Sequence, residues 1–83
     1  MLTIEQFIPR FAAQFGHDHR SIEPSTGLFD ELGLDSFDAF RMILFLEELA
    51  AIDVPPDDIP PIFTVSDAYG YYAQLRDIAD KQP

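Results

Sequence analysis

Residues 32–40 read Leu-Gly-Leu-Asp-Ser-Phe-Asp-Ala-Phe, "LGLDSFDAF", and the fold turns on where a helix begins within them. Gly33 belongs to an aperiodic stretch, whereas Asp35 and Ser36 are residue types whose side-chain oxygens cap a first helical turn. The spacing predicts a helix over about 36–50, stopped by "IDVPP" at 52–56. On a 100° wheel, Ala39, Met42, Ile43, Leu46, Leu49 and Ala50 gather on one side as a core face. Phe37, Phe40 and Leu44 fall on the opposite side, with Arg41 and Glu48 among them and Phe45 at one margin. A small domain cannot surround a helix that is apolar on both sides. Either part of that surface stays exposed, or the preceding loop covers it.

Working outward, Thr3 caps a first helix over about 3–15, in which Ile4, Phe7, Ile8, Phe11, Ala12 and Phe15 form one stripe and Gly16 is the stop. Pro9 lies inside that pattern and predicts a kink or a boundary nearby. Residues 17–35, "HDHRSIEPSTGLFDELGLD", lack sustained periodicity and predict a long loop over 16–35, pinned by Ile22, Leu28, Phe29, Leu32 and Leu34. Asp57 and Asp58 predict a short helix or turn at about 57–62, limited by Pro60 and Pro61. Thr64 and Asp67 form a variant capping box for a last helix over about 65–80, with Val65, Ala68, Tyr72, Leu75 and Ala79 inward. Gly70 within it costs roughly 1 kcal/mol relative to alanine, so it either serves a close helix contact or loosens that turn. The expectation is an all-α bundle of four helices, three main and one short, forming a single domain over residues 1–83.

Composition narrows the function. The 83 residues are 47% hydrophobic, with eight Phe and three Tyr, too apolar for a disordered acidic tail despite a net charge of −10. Without cysteine the chain has no disulfide, no thiolate metal site and no thiol chemistry of its own. Fifteen acidic residues against five basic ones repel nucleic-acid phosphates and suit a basic protein partner. The longest apolar run, "MILFLEELAAI" at 42–52, is shorter than the roughly 20 residues a membrane span requires, and "MLTIEQF" lacks a secretory pattern. A cytoplasmic monomer with no membrane or nucleic-acid partner is expected.

Catalytic readings find little support. "HDH" at 17–19 has neither the spacing nor the additional ligands of a metal site. Ser36 lacks the glycine-x-serine-x-glycine elbow of a hydrolase, and Asp53, Asp57 and Asp58 lack the pattern of a calcium loop. No catalytic residue and no metal site is expected. Ser36 nevertheless sits where free backbone N–H groups and the helix dipole favour a phosphate, and the apolar patch flanked by carboxylates reads as a docking surface.

"LFDELGLDSFDAF" at 28–40 resembles the phosphopantetheine attachment motif of acyl carrier proteins, and the resemblance spans nearly the whole chain, through "IDVPPDDIPPIFTV" and "TVSDAYGYYAQL". It implies the carrier bundle, a 4'-phosphopantetheine arm on Ser36 donated from coenzyme A by a magnesium-using phosphopantetheinyl transferase, and Asp35 beside the attachment point contacting that transferase. The arm supplies the missing thiol. Acyl or aminoacyl thioesters then pass to acyltransferase, adenylating or ketosynthase partners, with Phe37, Asp38, Phe40, Arg41, Leu44, Phe45, Glu47 and Glu48 as the docking residues. The carrier itself performs no turnover, and its core face could open for the cargo.

Arg41 stands where fatty-acid carriers are frequently acidic, and Phe40 and Phe45 are bulkier than usual there. With the paired prolines and "YGYY", these features look more like stand-alone carriers of bacterial specialised metabolism, such as polyketide assembly lines. An aminoacyl or peptidyl carrier, or an unmodified helical interaction module, are the alternative readings.

Overall fold

The computed structural model describes residues 1–82. Its three long helices are α1 (Ile4–Phe15), α2 (Ser36–Ala50) and α3 (Val65–Lys81), and a single 3₁₀ turn spans His19–Ser21. Each long helix opens on a reciprocal capping box: Thr3 with Gln6, Asp35 with Asp38, and Thr64 with Asp67. In each box two backbone donors that lack an intrahelical acceptor are satisfied by side chains three residues apart. Gly16 ends α1 at φ 73°, a left-handed conformation that turns the His17 N–H back onto the Ala12 carbonyl at 2.9 Å.

Pro9 does not bound the observed helix, for α1 is continuous across it. Pro9 and Glu5 both face solvent, so the Glu5 carbonyl deprived of its partner can be hydrated while Phe7, Phe11 and Ala12 remain buried.

The segment expected to hold a short helix or turn at 57–62 forms neither. Between Ile52 and Phe63 the chain makes only bends. Prolines 55, 56, 60 and 61 remove four N–H donors and bias Val54 and Ile59 away from helical dihedrals. The one short helical element lies instead at His19–Ser21, where the Asp18 carboxylate accepts from the Arg20 N–H at 3.0 Å.

The long loop is tied to the start of α3. Leu28 N–H donates to the Phe63 carbonyl at 2.9 Å, Val65 N–H to Thr26 at 3.0 Å and Ser66 N–H to Pro24 at 2.8 Å, around an isolated antiparallel bridge between Gly27 and Thr64. Leu28 is fully buried and Ile22 and Leu34 nearly so, whereas Phe29 remains 40% exposed. Gly33, at φ 71°, turns the chain between the two buried leucines so that it enters α2 from the correct side.

The helices pack unequally. Met42, Leu46 and Ala50 of α2 share one core with Val65, Ala68, Tyr71, Tyr72 and Leu75 of α3. Phe7 of α1 joins them through ring contacts with Tyr69 and Tyr72 at 5.4 and 5.8 Å. Tyr72 Oη accepts from the Leu2 N–H at 3.0 Å and Tyr69 Oη donates to the Leu2 carbonyl at 2.7 Å, fixing the entry to α1. By contrast, no Cα of α1 comes within 8 Å of α2. Those two helices meet through side chains, with the Phe11, Phe15 and Phe45 rings 5.0–6.5 Å apart.

Gly70 serves no close contact: a Cβ built there meets no atom within 4 Å. At the far end of α2, Ala51 takes φ 55° and Arg76 of α3 donates to the Ala50 carbonyl at 3.0 Å.

Candidate functional site at the start of α2

The entry to α2 is built from two carboxylates that hold each other's backbone. Asp35 Oδ1 accepts from the Asp38 N–H at 2.8 Å, and Asp38 Oδ2 accepts from the Asp35 N–H at 3.2 Å. Capping therefore falls to Asp35, which leaves Ser36 as the first helical residue. Its side chain is exposed and its hydroxyl has no hydrogen-bond partner among the described residues. The Ser36 and Phe37 N–H groups likewise lack an acceptor among the described residues, because the helix offers none to its first donors. An anionic substituent on Ser36 Oγ would lie beside two free donors and the positive end of the dipole.

The outward stripe begins next to this serine. Phe37, Phe40 and Leu44 are 70%, 63% and 49% exposed, and the loop does not cover them, since Leu28 and Leu34 fill the core instead. Phe45 is not part of the stripe; it is half-buried against Phe11 and Phe15 of α1. Arg41 also turns inward, donating to Asp38 Oδ1 at 3.1 Å with its guanidinium carbon 5.4 Å from the Phe15 ring centroid. Glu47 is half-buried and Glu48 exposed at the far end.

A shallow, open cavity of about 310 Å³ lies between α1 and α2, lined by Gln14, Phe45, Glu48 and Leu49. Glu48 is twelve residues beyond Ser36, roughly 18 Å along the helix at 1.5 Å per residue.

Elsewhere the loop carboxylate Asp18 is engaged by Arg20, whose side chain holds it below the ordinary range, and among the described residues no group of three or more His, Asp or Glu is placed to hold a metal ion. No helix among the described residues is long and apolar enough to cross a membrane.

The family model for the phosphopantetheine attachment site matches residues 5–80. The chain belongs to the acyl carrier protein family. A curated relative, the acyl carrier protein of Syntrophobacter fumaroxidans (strain DSM 10017 / MPOB), is 36% identical over 65 residues, which cover 78% of this chain and 80% of that protein. As a member of the acyl carrier family this protein is a non-catalytic carrier, using a phosphopantetheine arm to present acyl groups to other enzymes. Family membership implies two kinds of partner, a phosphopantetheinyl transferase and acyl-processing enzymes.

Residues that sequence reasoning missed are now visible. Tyr71 is 1% exposed, yet its hydroxyl has no hydrogen-bond partner among the described residues. Burial raises the phenol above its ordinary value of 10.0, and the charge of Glu47 adds to the effect.

Proposed function

We propose that Ser36 carries the phosphopantetheine arm and that Asp35 presents it to the transferase. The observation that carries this reading is the division of labour at the start of α2: Asp35 caps the helix, so the Ser36 hydroxyl is exposed and uncommitted. When attached, the arm supplies the thiol on which acyl groups ride. The chain's own contribution is to orient Ser36 Oγ outward, to offer the free Ser36 and Phe37 N–H groups to the phosphodiester, and to present an apolar face to each partner.

On this reading Phe37, Phe40 and Leu44 make the central partner contacts, with Asp35, Asp38, Glu47 and Glu48 around them. The carrier works as a cytoplasmic monomer with acyltransferase, adenylating or ketosynthase enzymes of polyketide or related specialised-metabolite biosynthesis. The bulky Phe40, the cationic Arg41 and the proline pairs support that pathway class over a housekeeping one.

Intact-mass measurement after incubation with coenzyme A and a broad-specificity transferase tests the attachment point. One phosphopantetheine adduct, absent in Ser36→Ala, is expected; an adduct that survives in Ser36→Ala places the arm elsewhere. Loading assays with adenylating and acyltransferase enzymes test the pathway. Efficient loading by an adenylating enzyme with an amino acid, and by no acyltransferase, would favour an aminoacyl carrier.

A further inference from the structure

We propose that Arg41 is a positioning residue for the modification site, tying the carboxylate that closes the first turn of α2 to the aromatic contact with α1 and thereby holding Ser36 in place. The inference rests on the reading of Ser36 above and deepens it.

The connection is continuous. Asp38 uses Oδ2 to accept the Asp35 N–H at 3.2 Å and Oδ1 to accept Arg41 at 3.1 Å, while its own N–H returns to Asp35 at 2.8 Å. The guanidinium then lies 5.4 Å from the centre of the Phe15 ring, itself 5.0 Å from Phe11. An aspartate held only by a long hydrogen bond to a backbone N–H exchanges readily with water. With a planar cation docked between its second oxygen and a ring, its freedom is reduced. The side chains of Arg41 and Asp38 are 41% and 25% exposed, so the pair is partly withdrawn from solvent.

Charge gives Arg41 a second part. A phosphodiester on Ser36 adds a negative charge near Asp35 and Asp38, which opposes modification. Of the five basic residues only Arg41 lies in α2, and it offsets the Asp38 charge. Phe15 and Arg41 thus belong to one unit with the capping box, although Phe15 sits on another helix.

A double-mutant cycle separates this role from direct contact with the transferase. Phosphopantetheinylation kinetics and the amide proton shifts of Asp35 and Asp38 are measured for wild type, Arg41→Ala, Phe15→Leu and the double variant, with folding checked by circular dichroism. Arg41→Ala should lower kcat/KM about fivefold, the equivalent of one partly exposed ion pair with its ring contact. Phe15→Leu should lower it by a smaller factor, the double variant should be no worse than Arg41→Ala, and the Asp35 amide proton should move toward its unstructured position in all three.

Arg41→Lys, which keeps the charge but not the planar face, should recover only part of the loss and serves if Phe15→Leu does not fold. A fall in kcat/KM for Arg41→Ala with no movement of the Asp35 amide would mean direct contact with the enzyme and overturn the proposal, as would unchanged kinetics. Should wild type accept no adduct, the Ser36 reading fails, and an immobile Asp35 amide in Arg41→Ala would separately refute the coupling.

Discussion

Replacing Tyr71 by phenylalanine removes one oxygen from a side chain that is 1% exposed, and this oxygen has no hydrogen-bond partner among the described residues. A buried hydroxyl without a partner forfeits roughly 1–3 kcal/mol of hydration, against which the lost dispersion of a single atom is small. Tyr71→Phe should therefore stabilise the fold by about 1 kcal/mol. At about 2.1 cal/mol/K per residue the 83-residue chain has an unfolding entropy of roughly 0.17 kcal/mol/K, so Tm should rise by about 6 °C.

Urea and thermal unfolding followed by circular dichroism measure the change, and pH supplies an internal control. Because burial first, and Glu47 second, raise the folded-state phenol above 10.0, the proton-linked part of Tyr71's contribution to stability is fully present below pH 10. That contribution is lost as pH rises through the folded value, since the unfolded chain then releases the proton more easily. The advantage of Tyr71→Phe over wild type should accordingly widen above pH 10. A variant destabilised by 0.5 kcal/mol or more (about half the expected gain) would refute the reasoning by requiring a hydrogen-bond partner for the hydroxyl, and an advantage that stays level into that range would refute the raised phenol.

Three further outcomes are expected. Asp35→Ala should cost about 1 kcal/mol by urea unfolding and Asp35→Asn much less, because asparagine still accepts the Asp38 N–H; equal losses would mean that charge, not capping, matters there. Ala51→Gly should stabilise by about 0.5–1 kcal/mol in the same assay, as alanine at φ 55° carries a strain that glycine does not. The Phe63 N–H, then the N–H and hydroxyl of Thr64, hold the Asp67 carboxyl below its ordinary 3.8, so its stabilisation is present above that pH and lost as pH falls through the folded value. The stability difference between wild type and Asp67→Asn should shrink below pH 4 in an acid unfolding series.

What could be read from the sequence was local. Thr3 and Thr64 could be recognised as caps from residue type and local spacing, the cap of α2 only as Asp35 or Ser36, and Gly16 as a stop because a left-handed end favours glycine. The short helix or turn expected at 57–62 shows the opposite case: Asp57 and Asp58 resemble a helix start, but the prolines around them govern the backbone. The 3₁₀ turn at His19–Ser21 rests on one aspartate and leaves no periodic signal. Tyr71 escaped because α3 is buried over a wider arc than a single stripe, between α1 on one side and α2 on the other. At the candidate site, the wheel put Phe37, Phe40 and Leu44 on the face opposite the core but left open whether the loop covers them, and only the tertiary fold shows them exposed. The inward turn of Arg41 and Phe45 did not follow from the wheel either, because it depends on Phe15, which only the tertiary fold brings near.

The separation between α1 and α2 has a practical consequence. Since rings, not closely packed backbones, bridge that gap, any displacement of α1 relative to α2 would be taken up first by Phe11, Phe15 and Phe45, with every helix intact. Such a rearrangement leaves ellipticity unchanged, and a chain without tryptophan has no bright intrinsic fluorophore to reveal it. Aromatic ring-current effects on neighbouring methyl resonances are the natural reporter, turning the seam into a built-in gauge of whether a tethered load disturbs the bundle.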